Sequence, residues 1–325
     1  RSAAPSRCGA GCSANCARAP GGSHQLTHRT IWLALLVAAF GWGTGGPATR
    51  LAFDEGIEPY GLVVLRLGVA VIFVTGYVLW KSGSLPRDRL TWRVGAVQGV
   101  GNLAVPYILF TIAYQNASSG FVGLLAALIP LVTAISAHFL LPDEPMRAAK
   151  AAGLVVAFGG VAVLGLSGDS GLEEGGRPGV ALSLSVVAVI VLSIAGIYAK
   201  HHAGAYRPAE LTFVQFVVGI SVAFVAMLVA EGIPTDVTGT GWALVVYLGI
   251  ASSFMPFALW YWLLAHTSIS RASLVGYIVP IIAATAGVLF VDESLQPGII
   301  AGGTLILAGV LLSDRAERRL LLPRP

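Results

Sequence analysis

Polar positions in this chain punctuate long apolar runs. Stretches free of Asp, Glu, Lys and Arg cover Thr30–Thr49, Val94–Pro142, Ala151–Gly168, Pro178–Ala199, Leu211–Ala230, Val237–Ser270, Ala272–Val291 and Ser294–Ser313. Tyr60–Trp80 is as apolar but contains Arg66. About 20 residues at 1.5 Å each cross a hydrocarbon layer of ~30 Å. Val94–Pro142 is too long for one crossing, and its polar Tyr114–Gly120 segment divides it. The pattern therefore predicts an all-α polytopic membrane protein with ten transmembrane helices. They fall near 30–50, 60–80, 92–113, 119–140, 148–166, 179–199, 210–230, 242–264, 271–291 and 297–313. Barrel strands would show short alternating segments instead, and a helix satisfies its own backbone in lipid.

Composition agrees. Hydrophobic residues make up 56% of the 325 and charged ones 11%, where a soluble domain carries about 25% charged. A cytosolic enzyme, a nucleic-acid binder and a disordered scaffold are excluded, and the net charge of +4 forms no basic face. With the first segment placed in the cytosol, 17 of the 20 Lys and Arg fall on cytosolic segments, leaving Arg50, Arg177 and the intrahelical Arg66. This bias predicts a multi-pass protein of the plasma or inner cell membrane with both termini cytosolic. Trp32, Trp80, Trp92 and Trp242 fall near predicted span ends, where interfacial aromatics belong. Residues 1–29 read as a disordered cytosolic tail without the apolar core of a signal peptide. Its Cys8, Cys12 and Cys16 lack supporting His or acidic ligands, so no metal site is assigned. Residues 314–325 read as a basic cytosolic tail.

The chain is written twice. A shift of 150 residues superposes Trp92 on Trp242, Gly99 on Gly249, Pro106 on Pro256, Leu124 on Leu274 and Pro130 on Pro280. After a one-residue slip, Asp143-Glu144 meets Asp292-Glu293, and Gly153 and Gly160 meet Gly302 and Gly309. Each unit, 30–166 and 179–313, carries five predicted helices. An odd number inverts the second unit, and residues 167–178 become an extracytoplasmic linker. Two inverted halves give a site between them that can open to either face.

Particular residues carry a family resemblance. Trp42-Gly43 is followed by Arg50, Pro59 and Arg66; Ala126 to Leu131 contains Pro130 and leads to Glu144, Gly153 and Gly160-Val161. Pro280, Asp292-Glu293-Ser294-Leu295, Gly302 and Gly309-Val310 repeat that order. The chain resembles the EamA-type branch of the drug/metabolite transporter superfamily over about residues 30–313. The resemblance implies a ten-helix carrier, commonly an exporter of amino acids, metabolites or drugs. It also implies a central cavity lined by helices one, three, four, six, eight and nine.

Several residues are candidates for contact with a small-molecule substrate. Arg66 lies ~9 Å into the second predicted helix, where a charge is costly. It reads either as a snorkelling structural residue paired with Asp54, Glu55 or Glu58, or as a counter-charge for an anionic group. Its repeat equivalent falls near Phe216. Gly41-Trp42-Gly43-Thr44-Gly45-Gly46-Pro47 makes a weak stretch of helix, suited to bending or to close packing. Trp42 offers an apolar wall or a cation–π face. Gln98 and Asn102 are four apart and read as helix bridges or substrate contacts; the second copy has Ser252, Ser253 and Trp260 in register. Tyr107 and Tyr277 complete the set, and Pro47, Pro106, Pro130, Pro256 and Pro280 are predicted kinks. Gly95/Gly99, Gly153, Gly159/Gly160 and Gly302/Gly303 read as packing seams.

Energy coupling is read by elimination. No G-x-x-x-x-G-K-[ST] loop exists for ATP. All sixteen acidic residues fall in loops or at predicted helix ends, so no intramembrane carboxylate relay is expected. His138 reads as interfacial, and no cofactor is implied. H-E-x-x-H and G-x-S-x-G, the motifs of rival membrane enzymes, are absent. The expectation is an alternating-access secondary transporter, an exporter of small organic solutes. A sugar-phosphate or nucleotide-sugar exchanger is the alternative, and monomer and homo-oligomer remain equally open.

Overall fold

A computed structural model describes residues 28–140, 148–172, 175–202, 204, 206–234, 236–267, 272 and 274–321. The expected N-terminal tail before His28, the cysteines in it, and Asp143-Glu144 lie outside the described residues. The described residues are mostly helical, with no strand among them.

The helices run α1 (His28–Gly43), α2 (Gly45–Asp54), α3 (Pro59–Ser82), α4 (Arg89–Gln98), α5 (Val105–Asn116), α6 (Ser119–Ala126), α7 (Ile129–Leu140), α8 (Ala148–Leu166), α9 (Pro178–His201), α10 (Pro208–Ala230), α11 (Gly239–Gly249), α12 (Met255–His266), α13 (Leu274–Phe290) and α14 (Pro297–Leu321). Short π-helical segments, Gly99–Ala104 and Ile250–Phe254, join α4 to α5 and α11 to α12. Among the described residues, seven helical stretches are long and apolar enough to cross a bilayer: 29–54, 59–82, 89–116, 119–140, 178–201, 208–230 and 239–263. Three further apolar helices, Ala151–Leu166, Leu274–Phe290 and Pro297–Ser313, are shorter.

Large apolar side chains stud the exterior, among them Ile72, Val155, Val229, Leu289 and Phe290. A water-soluble fold would bury these; a lipid-solvated one exposes them. Helix starts are set by local chemistry. Asp88 accepts a 2.7 Å hydrogen bond from the Thr91 amide at the start of α4, Ser118 caps α6 through Phe121 and Thr238 caps α11 through Gly241. Pro59, Pro178 and Pro208 open α3, α9 and α10, where a missing N–H costs nothing.

Expected breaks are realised unevenly. The first predicted helix is interrupted at Thr44, between α1 and α2, because Pro47 has no N–H for the Gly43 carbonyl. The 119–140 helix is divided ahead of Pro130, between Ala126 and Ile129. Pro280 lies inside α13, which continues through it. Pro106 and Pro256 each follow a π turn. The Val105 amide bonds the Val100 carbonyl and the Met255 amide the Ile250 carbonyl, five residues back rather than four. The wider turn makes room for a proline ring that would otherwise strike the carbonyl four residues before it.

The glycine seams are intimate. An added Cβ at Gly153 would come 2.5 Å from the Gly309 carbonyl oxygen, and one at Gly160 would come 2.6 Å from that of Gly302. Antiparallel α8 and α14 thus lie backbone to backbone. Gly95 and Gly99 press on Val214 and Val218 of α10, and Gly303 presses on Leu124. Gly159 does not belong to a seam, since the space beside it is open; one residue along a helix turns a side chain about 100° away.

Candidate functional site

Arg66 is one of two charged side chains buried among the described residues, and its surroundings decide its role. It is 6% exposed and is fixed by α3 between Leu62, Val63, Leu67 and Ala70. Its Nε donates to Ser253 Oγ and its Nη2 to Ser252 Oγ, both at 3.2 Å. The guanidinium carbon lies 4.7 Å from the centre of the Tyr107 ring, a cation–π distance. The expected pairing with Asp54, Glu55 or Glu58 is not formed. Glu55 instead accepts from Thr238, and Arg66 is too buried to snorkel. Among the described residues its partners are two hydroxyls and a ring, all neutral, so a positive charge sits without a counter-charge.

The π segment Ile250–Phe254 presents both serines. Ser252 and Ser253 are consecutive yet both buried and both reach Arg66, since the wide turn splays its side chains differently from an α-helix. The segment is held from behind by the α1–α2 junction. A Cβ on Gly41 would strike the Ala251 carbonyl and one on Gly45 would strike Ser252 Oγ. Glycine at both positions is what lets the backbone approach. Thr44 Oγ1, at the break, lies 2.6 Å from the Tyr247 hydroxyl.

An aromatic wall adjoins the site. Trp42 meets Phe257 edge-on at 5.6 Å and Trp260 at 6.1 Å, and Phe216 meets Phe257 at 5.4 Å. The structure therefore brings Trp42, Arg66, Tyr107, Ser253 and Trp260 into one region spanning α1, α3, α5, the Ile250–Phe254 π segment and α12. Tyr277 is separate: it packs with the cluster around Phe121, Leu125 and Leu164. Gln98 bridges helices, donating its Nε2 to the Ala195 carbonyl of α9. Asn102, in the first π segment, is partly exposed. Trp262 stacks on His266 at 4.5 Å, and His138 is exposed at the end of α7.

Two features escape the sequence reading. The first is Gln215, which is fully buried and has neither amide atom hydrogen-bonded. Its packing parallels that of Arg66. Gly249 packs on the Arg66 carbonyl and Val69, and its counterpart Gly99 packs on the Gln215 carbonyl and Val218. Gln215, one residue from Phe216, thus meets Gly99 as Arg66 meets Gly249.

The second is Glu293. Although it lies in the loop between α13 and α14, it is 6% exposed. Oε1 accepts from both the amide and hydroxyl of Ser119 at 2.8 Å and lies 3.2 Å from Arg50 Nε. Burial holds its carboxyl above the usual carboxylate range, against the opposing pull of the Ser119 donors and Arg50. Loop position in sequence did not mean contact with solvent, because segment 167–172 folds over it. The Ser294 amide donates to the Gly171 carbonyl and the Ser118 amide to the Ser170 carbonyl. Among the described residues, no cluster of His, Cys, Asp and Glu could hold a metal ion.

Comparisons with known proteins agree with this architecture. A transporter from Archaeoglobus fulgidus, itself uncharacterised, is 25% identical over 295 residues, covering 87% of this chain and 98% of the relative. A probable terminal-alkyne amino-acid exporter from Streptantibioticus cattleyicolor is 26% identical over 298 residues, covering 88% and 94%. A solved crystal structure 19% identical in sequence shares the fold at a TM-score of 0.64, over 91% of this chain and 99% of that one. The model of the EamA-like transporter family matches residues 29–166 and again 179–313. With both matched stretches covering most of its length, this chain belongs to the EamA-like transporter family.

Proposed function

We propose that the chain is a ten-span secondary transporter of two inverted five-helix halves, with both termini cytosolic. It exports a small organic solute bearing a carboxylate or similar anionic group. Membership of a transporter family indicates a carrier rather than an enzyme. The observation that carries the substrate reading is Arg66. A buried cation without a counter-ion costs several kcal/mol, and an incoming anion offsets that cost by pairing with the guanidinium. Ser252, Ser253 and Tyr107 hold the guanidinium in place, while Trp42, Phe257 and Trp260 supply an apolar wall for the rest of the solute. The Streptantibioticus relative, named an amino-acid exporter, is in keeping with such a solute.

Matched packing supports the inverted halves. The contact of Gly41 with Ala251 has a counterpart 150 residues on, where Gly101 faces Val191 and Ala195. The α8–α14 seam maps onto itself when the halves are exchanged. A strongly anionic sugar phosphate or nucleotide sugar fits less well, because Arg66 is a single guanidinium and polyphosphates are met by several. Counterflow in proteoliposomes tests the reading. Vesicles loaded with a pool of amino acids should take up a labelled member saturably, and Arg66→Met should abolish that uptake. Equal uptake by protein-free vesicles would refute the carrier; undiminished uptake by the folded variant would refute the role of Arg66.

A further inference from the structure

We propose that Glu293 is a proton-binding latch which, with Arg50 and Ser119, closes the extracytoplasmic end of the path to Arg66, and that protonating its carboxylate opens that end. The inference rests on the carrier reading above. Its geometry comes from three elements converging on one carboxylate oxygen. Oε1 takes the Ser119 amide and hydroxyl at the N-terminus of α6 and faces Arg50 Nε of α2 at 3.2 Å. Arg50 also donates from Nη1 to the Tyr114 carbonyl in the last turn of α5, at 2.8 Å. One side chain from the second half thus ties together three helices of the first.

The latch is wired to the site through α2. This helix begins at Gly45, pressed on Ser252 of the Arg66 cluster, and carries Arg50 five residues later. Those five residues make ~7.5 Å of helix, so the latch lies little more than a turn from the site. The break at Thr44 gives α2 a hinge. Movement of Ser252 on binding substrate pushes Gly45 and so moves Arg50. Along α5, Tyr107, Thr111 and Tyr114 follow at helical spacing, and Thr111 is buried between the site and the latch.

The charged and titratable groups around the carboxylate are few among the described residues. Arg50 faces it from α2 and Tyr114 from α5. Asp292 precedes it in its own loop, with a positive φ of 50°. Asp169 of the linker is occupied by the Gly298 amide at 2.7 Å. Arg50 is therefore the cation that holds the ionised form. Its Nε lies at ion-pair distance but is not aligned as a hydrogen bond, so a proton on Glu293 removes most of what keeps α2 against the loop. Burial places that titration at milder acidity than for an exposed carboxyl.

Accessibility rather than flux tests the latch. With Cys8, Cys12 and Cys16 replaced by Ser, Thr111→Cys is labelled with a membrane-impermeant maleimide added separately to each face of a proteoliposome. The reagent's own reaction rate at each pH is normalised on an exposed cysteine. The expected result is slow labelling at neutral pH that rises on acidification, from the extracytoplasmic face only. In the Glu293→Gln background labelling should be fast at all pH values, by a factor within the ~5–150-fold of an ordinary conformational coupling. Should that variant fail to fold, Arg50→Gln opens the same pair from its other side and should likewise speed labelling. Labelling that ignores pH, or variants no faster than their parent, would overturn the proposal. Failure of the carrier reading would instead show as absent counterflow, whatever the labelling does.

Discussion

Replacing Arg66 by Met separates a substrate anchor from a structural residue. Met keeps much of the volume and removes the charge and the fork of donors. Arg66 makes two 3.2 Å hydrogen bonds to neutral hydroxyls and one contact with the Tyr107 ring. Charge-assisted bonds contribute roughly 1.5–3 kcal/mol each at good geometry, and bonds this long fall at the low end. A cation–π contact adds roughly 0.5–2 kcal/mol. Burying the guanidinium costs several kcal/mol, so the sum in the empty protein is close to zero. Arg66→Met should therefore melt within a few degrees of the parent, or slightly above it. Substrate binding should fall steeply, because breaking a buried charge pair costs about 2–5 kcal/mol, roughly thirty-fold to several thousand-fold in affinity. Arg66→Lys keeps the charge without the fork and should lie between the two. The assay pairs a thermal melt in detergent with saturable counterflow over a range of solute concentrations. A variant that loses stability heavily, or that transports with unchanged affinity, would refute the anchor and restore a structural arginine.

Other expectations follow from packing and capping. Gly45→Val drives a branched side chain into Ser252 Oγ; about 1–3 kcal/mol of overpacking should appear as a lower melting temperature together with lost counterflow, whereas Gly159→Val, beside open space, should leave both unchanged. At the α8–α14 seam, Gly153→Leu meets the backbone of Gly309 and Ser313 and should reduce the yield of folded monodisperse protein, read by size exclusion. Asp88→Ala removes the cap of α4 and should cost ~1 kcal/mol, checked by the melt. The Thr91 amide holds the Asp88 carboxyl below its usual range. Its contribution is thus present above the unfolded-state value and is lost as pH falls through the lower folded one. The stability difference between parent and Asp88→Ala should accordingly vanish in strong acid.

Apolar run length determined most of the architecture without tertiary information. A membrane core demands about twenty apolar residues per crossing and internal backbone pairing, so membrane-scale helices and their approximate ends are legible one segment at a time. Gly153 and Gly160 mark a packing face for a similar local reason, since glycines seven apart stack on one face of a helix, but that α14 covers this face came from the structure. The same local logic overreached at Gly159, which faces away from the seam.

What only the folded protein decided are relations between residues far apart in the chain. Arg66 could be assigned either to nearby acidic residues or to a ligand until Ser252 and Ser253, some 186 positions away, were seen to hold it. The two π segments were invisible because widening a turn by one residue leaves composition unchanged. Gln215 reads as one polar residue in an apolar run, and its burial arises from the approach of α10 to Gly99. Glu293 reads as a loop acid, yet segment 167–172 folding over it removes it from water. Hydrophobicity is additive along a sequence and so survives being read in one dimension. The environment of a charge depends on which atoms surround it, and that is settled only when distant helices meet.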